Sequence, residues 1–272
     1  MKPMAEQQQR FLLTLAYDGR SYEGWQSQAG GNTIQDYLQQ ALQRVCPLIT
    51  VAHGAGRTDA GVSALAQCAH FDAPSSANLN CRNWQQALNA HLPPLIRVMK
   101  CESVAPDFHS RFDAVGKHYR YRLYLADVLP PLHHRLAWHL RGPLNTHDLH
   151  LALQCFVGRH DFRAFSANRG DGKDQSRDAH RSITSIDLIE SENPAILDLH
   201  FSGEGFLYKM VRFLTGSAVR CTQGKFERAE LRRLLTGVDF SEKAPFCAPP
   251  DGLLLEKVIY PGSKSMTSSS SS

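Results

Sequence analysis

The chain has 272 residues, 42% of them hydrophobic, and a formal net charge of +4. That length suffices for one large domain or two small ones with a proper core, and the mild basicity permits a polyanionic partner without demanding one. No apolar run is long enough to span a membrane, and the polar start lacks the apolar core of a secretory signal, so no membrane association and a cytoplasmic location are expected.

Seven cysteines, at 46, 68, 81, 101, 155, 221 and 247, show no C-x-x-C spacing. They read as reduced thiols, not as a disulfide framework or a zinc site. Thirteen histidines invite a metal reading. The closest clusters, His133-His134-His139 and His147-His150, have no acidic or cysteine partners at a familiar spacing, so no metal is expected.

Taken in chain order, residues 1–9 read as a flexible N-terminus. Residues 11–17 are apolar and run into Asp18-Gly19, the pattern of a strand ending in a turn. Thr33 and Asp36 have capping-box spacing, and Ile34, Leu38, Ala41, Leu42 and Val45 follow at helical intervals. Residues 67–71 read as a strand, 81–92 as a helix with Trp84 and Leu88 on one face, and 96–104 as a strand. Residues 118–125 alternate, with Tyr119, Tyr121, Leu123 and Leu125 on one face and Arg120, Arg122 and Tyr124 on the other. Thr146 is expected to cap a helix carrying Leu149, Ala152, Leu153 and Phe156. Residues 183–189 and 196–201 read as strands, 209–221 as a helix, Leu231, Leu234 and Leu235 as part of another, and 253–260 as a last strand. The serine-dominated stretch 263–272 cannot bury anything and is expected to be a disordered tail. Each half thus reads as strand, helix, strand, strand, helix, strand. The expected fold class is α+β: two ferredoxin-like halves, residues 10–113 and 114–262, forming a continuous, mainly antiparallel sheet with helices packed on it.

The densest candidate for chemistry is the loop Gly54-Ala-Gly-Arg-Thr-Asp-Ala-Gly-Val62. Its glycines let another segment approach closely. Arg57 lies two residues from Asp59, and an arginine beside a carboxylate keeps it ionised and oriented. Such an aspartate can serve as nucleophile, base or metal ligand. On spacing alone, a tight turn in which Asp59 bonds local amides fits the residues better. The loop is not a phosphate-binding Walker motif, because no Gly-Lys-Ser/Thr follows.

Gly56-Arg57-Thr58-Asp59-Ala60-Gly61-Val62 resembles the active-site motif of the tRNA pseudouridine synthase A family. The resemblance continues in order along residues 11–260. It includes Tyr17-Asp18-Gly19 through Tyr22, Gly24, Trp25 and Gln26, then Thr33-Ile34-Gln35 and Asn89-Ala90-His91-Leu92-Pro93. Phe108-His109-Ser110-Arg111-Phe112 and Lys117-His118-Tyr119-Arg120-Tyr121 follow. Gly158 with His160-Asp161-Phe162 and Phe165, Gly205 to Arg212, and Ala248-Pro249 with Gly252-Leu253 complete it. The chain departs from the pattern at Ser63, where the family usually has histidine, at Ala66, where it has glycine, and over 169–180, which fits no strict pattern.

The resemblance implies the pseudouridine synthase fold and an isomerase that converts uridine to pseudouridine in the anticodon stem-loop of tRNA, around positions 38–40. Asp59 is the implied nucleophile, Arg212 its cationic partner beside Arg57, and Tyr119 the ring against the flipped uracil. Phe206 and Leu207 are expected to line the base pocket, with core packing the equal alternative. Lys117, Arg120, Arg122 and Arg20 are candidates for RNA contact, although each alone also reads as a solvated charge. The reaction needs no cofactor. A homodimer in which one tRNA touches both subunits is implied as well. Two other readings remain: a catalytically inactive tRNA-binding paralogue acting as an RNA chaperone, and a metal-dependent hydrolase, disfavoured by the missing ligand cluster.

Overall fold

The computed structural model describes residues 7–170, 172, 174–237, 239 and 241–262. The expected tail 263–272 and most of the expected flexible start lie outside the described residues. Gln8 and Gln9 differ from that expectation. They open the first strand, because their backbones pair with Pro74 and Ala73 on the neighbouring strand.

The first half runs β1 (Gln8–Tyr17), α1 (Ile34–Val45), β2 (His53–Gly54), β3 (Ser63–Pro74), α2 (Cys81–His91) and β4 (Ile96–Val104). The second runs β5 (Gly116–Tyr124), β6 (Trp138–His139), α3 (Thr146–Gln154), β7 (Gly158–Asp161), β8 (His180–Glu190), β9 (Ile196–Gly203), α4 (Met210–Thr222), α5 (Arg228–Leu234) and β10 (Leu253–Ile259). One sheet joins them, in the order β4-β1-β3-β10-β5-β9-β8-β7, with β2 on β3 and β6 on β5. The first half therefore has strand order β4-β1-β3-β2, and the second repeats it as β10-β5-β9-β8 with β7 added outside. Both follow the ferredoxin-like β-α-β-β-α-β plan. Pairing is antiparallel except for β3–β10 and β5–β6.

Helix ends follow local chemistry. Thr33 caps α1: its hydroxyl accepts from the Asp36 amide and donates to the Asp36 carboxylate at 2.6 Å. The cap of α3 is Asn145 rather than Thr146, because the Asn145 side-chain oxygen takes the Asp148 amide at 3.1 Å and leaves Thr146 as the first helical residue.

Cross-strand register sorts the second half of the sheet. On one face Tyr119 sits opposite Phe201 and Leu255, and Tyr121 opposite Leu199 and Leu253, all buried against the helices. On the other face Arg120 lies opposite His200, and Arg122 opposite Asp198. Tyr124, expected on the polar face, instead packs with Ala137 and Ile196 in a small satellite cluster. No helix among the described residues is long and apolar enough to cross a membrane. The halves meet where Ser63 and Ala64 of β3 pair with Leu254 and Leu255 of β10. The Gly54–Val62 loop ends at this seam.

Candidate active site

The loop carrying Asp59 is held on every side. Lys117 Nζ donates to the Ala55 carbonyl at 2.9 Å, and Gln67 Nε2 to the Gly56 carbonyl at 3.0 Å. The Tyr17 and Thr58 hydroxyls share a hydrogen bond of 2.8 Å, the Trp25 amide donates to Thr58 O, and the Gly61 amide to Tyr22 O. The segment 17–26 can lie this close because of two glycines. A Cβ on Gly19 would stand 1.9 Å from Val62 O, and one on Gly24, whose φ is +90°, would stand 2.5 Å from Thr58 O. Ser63, the departure from the family pattern, accepts the Gly19 amide at 2.9 Å and so ties the same two segments together.

Arg212 reaches this loop from the first turn of α4. Its Nη1 donates to Asp59 Oδ2 at 2.7 Å, and its Nε to the Ala248 carbonyl at 2.7 Å. The Ala248 amide in turn donates to Arg212 O. The guanidinium is therefore fixed at both ends. The two side chains are only 12% and 11% exposed, so the ion pair is largely screened from water and stronger than a surface pair.

Tyr119 is 8% exposed, and its ring meets Phe206 edge-on with centroids 5.1 Å apart. Burial, with the charges of Tyr17 and Asp59 adding to it, pushes the Tyr119 phenol well above its ordinary pKa, so it stays protonated. Tyr17 behind it is pushed up to about 12, again by burial.

These groups open into a cavity of about 420 Å³, within the range of small-molecule sites. Asp59, Tyr119, Phe206, Leu207, Met210 and Trp25 line it. Among the described lining residues five are Lys or Arg (Arg57, Arg111, Lys117, Arg169, Lys209) and Asp59 is the one carboxylate. The lining thus combines net positive charge with aromatic and aliphatic walls, a composition that favours an anionic ligand carrying an apolar part.

Asp59, Arg212 and Tyr119 converge, with Phe206, Leu207 and Lys117 around them. Arg57 lines the cavity but is exposed, and the ion pair at Asp59 is made by Arg212 instead. Sequence spacing misled here, because residues two apart in a loop need not point the same way. Lys117 is not a surface cation. It is half-buried under the loop, and desolvation, with Arg111 and Arg181 nearby, lowers its pKa to about 8. Arg120 stays out of the site: strand alternation puts it on the opposite sheet face, 3.8 Å from Asp198 and 3.7 Å from Glu256. Arg122 is bidentate to Asp198 there. Arg20 is paired with Asp18 and does not line the cavity.

Sequence reasoning gave no role to His53, His109, Arg111, Phe112, Tyr208 and Lys209, which also line the cavity. The 108–112 and 205–212 motifs contain most of them, but residue type alone does not reveal which side chains are exposed. No group of three or more His, Cys, Asp or Glu among the described residues is placed to hold a metal ion.

The chain matches the family described as tRNA pseudouridine synthase over residues 14–113 and 152–261. It is 44% identical over 254 residues to tRNA pseudouridine synthase A of Akkermansia muciniphila, covering 93% of this chain and 95% of that one. It is 41% identical over 249 residues to the protein of the same name from Geobacter sp. strain M21, covering 92% and 98%. For tRNA pseudouridine synthase A of Neisseria gonorrhoeae the identity is 40% over 259 residues, covering 94% of each chain. Among solved structures, a chain of the archaeal box H/ACA sRNP Nop10-Cbf5 complex is similar with a TM-score of 0.37 and 11% identity, over 77% of this chain and 43% of that one.

Proposed function

Because the chain belongs to the tRNA pseudouridine synthase family, whose members are isomerases converting uridine to pseudouridine in tRNA, we propose that Asp59 is its nucleophile and the anticodon stem-loop its target, around positions 38–40. The observation that carries this reading is the Asp59–Arg212 pair, facing a cavity walled by Tyr119 and Phe206.

The reaction breaks the N1–C1′ bond and joins C5 to C1′. The C5 proton leaves and N1 gains one, so the formula is unchanged and no cofactor or metal is needed. The target base must leave its stack to reach Asp59, and the apolar wall offers it a replacement surface. Arg212 orients the carboxylate and leaves its other oxygen for the substrate. The arrangement serves attack at C1′, attack at C6 and assistance of glycal formation alike. Tyr119, protonated and beside Asp59, offers its ring to the uracil and its hydroxyl as a relay, giving up its own proton toward N1 as it takes the one from C5. Phe206 and Leu207 complete the base pocket. Arg57, Lys209 and Arg169 at the cavity bring positive charge to the phosphates, with shape rather than base edges read elsewhere on the tRNA. The active protein is read as a cytoplasmic homodimer.

The test is to incubate unmodified tRNA transcripts with the protein and map pseudouridine at single-nucleotide resolution. Modification confined to positions 38–40 is expected. Modification elsewhere overturns the target assignment, and none at all favours the inactive RNA-chaperone paralogue.

A further inference from the structure

Phe112 is 74% exposed, yet it lines the same cavity as Asp59. Water-exposed aromatic rings are ordinarily mobile or incidental, and this one is neither. The turn that carries it is locked. The His109 amide donates to Asp113 Oδ2 at 2.8 Å, and the Asp113 amide returns to His109 O. The Arg111 amide donates to His109 Nδ1 at 3.1 Å. Ser110, fully buried, donates its hydroxyl to His53 O at 2.6 Å, and Tyr260 donates to Ser110 O at 2.7 Å. The His109 ring lies 4.2 Å from the Phe112 ring, and the Arg111 guanidinium stands 5.6 Å over it.

A rigid, solvent-facing ring backed by an imidazole and a cation matches the way proteins hold unstacked bases: the π-face takes the base and the guanidinium takes the phosphate. The Asp59 cavity has room for one flipped base. Flipping that base takes one stacking partner from each neighbouring nucleotide, and an aromatic ring at the cavity mouth can replace it. We propose that Phe112, supported by His109 and Arg111, is the stacking platform for the nucleobase adjacent to the flipped uridine, with Arg111 on the adjoining phosphate. This inference rests on the RNA-modifying reading of the cavity.

The experiment uses the full chain and a stem-loop RNA with 2-aminopurine placed 5′ or 3′ of the modified uridine, in wild type and in Asp59→Asn. Stacking on Phe112 keeps the bound probe dark at one of the two positions. Phe112→Ala and Phe112→Leu raise that fluorescence and weaken binding roughly 5- to 150-fold, the equivalent of about 1–3 kcal/mol for one base–aromatic stack. Phe112→Trp restores both. Wild-type brightness and affinity in Phe112→Ala overturn the proposal. So does a shift in oligomeric state in Phe112→Ala with RNA binding intact, which makes the ring a protein contact. The readout needs no turnover. On wild-type protein, RNA that binds and darkens the probe without being converted contradicts the Asp59 reading alone, whereas wild-type protein that binds no RNA contradicts the reading of the cavity and the platform with it.

Discussion

Asp59 and Arg212 are 153 positions apart in the chain and 2.7 Å apart in space. Removing the cation leaves a sequestered carboxylate without its partner, so Arg212→Met is expected to lower the single-turnover rate roughly 100-fold or more and to cost about 3 kcal/mol of stability in urea unfolding. Arg57→Met, at an exposed residue, is expected to leave the urea midpoint unchanged. Stability also depends on pH through a buried imidazole. His70 is 2% exposed, and burial, with Arg10, His109 and His53 adding to it against Asp72, lowers its pKa to about 4. Between about pH 4 and the ordinary value near 6.5, the unfolded chain holds a proton that the folded one rejects. Stability therefore rises with pH across that window and is lost as pH falls. Urea midpoints at several pH values should show this slope, and His70→Asn should flatten it. At this scale the identity of Asp59, Arg212 and Tyr119 was legible because whole motifs surround them. The partner of Asp59 was not legible from the loop, since Arg57 stands nearer in sequence and Arg212 nearer in space.

Among the elements, α1 and the segment before it set the floor of the site. Thr33→Ala removes the cap of α1 and is expected to lower stability by about 1 kcal/mol, read as a shift of the urea midpoint. Gly24→Ala is the sharper probe. Its φ of +90° is strained for any side chain, and the new methyl would press on Thr58 O. Loss of activity out of proportion to loss of stability is expected, because the Asp59 loop must shift; a fully active Gly24→Ala protein would contradict this account of the loop. Long elements were legible from apolar periodicity, and β4 (Ile96–Val104) emerges with the expected bounds. The strands β2, β6 and β7 are two to four residues long, too short for a period to register, and their pairing is decided by partners far along the chain.

For the whole molecule, the consequence of two α+β halves sharing one sheet is a site built from both. The nucleophile loop comes from the first half, Tyr119 and Arg212 from the second, and β3–β10 pairing holds the seam. The duplicated order of elements was readable from the sequence, whereas the seam was not, because only two residue pairs define it. If the four cavity cations other than Lys117 (Arg57, Arg111, Arg169 and Lys209) each neutralise a phosphate, tRNA affinity falls with a log–log slope of ~−3.3, or roughly a hundredfold between about 50 and 200 mM salt. Chelation with EDTA should leave the rate unchanged. The most direct test of the central claim compares wild-type protein with Asp59→Asn on the same tRNA. Asp59→Asn keeps the shape and the fold but loses the anion. It is expected to bind tRNA with near wild-type affinity and to form no pseudouridine in a single-turnover assay; pseudouridine made by that variant at an appreciable rate would contradict Asp59 as the nucleophile.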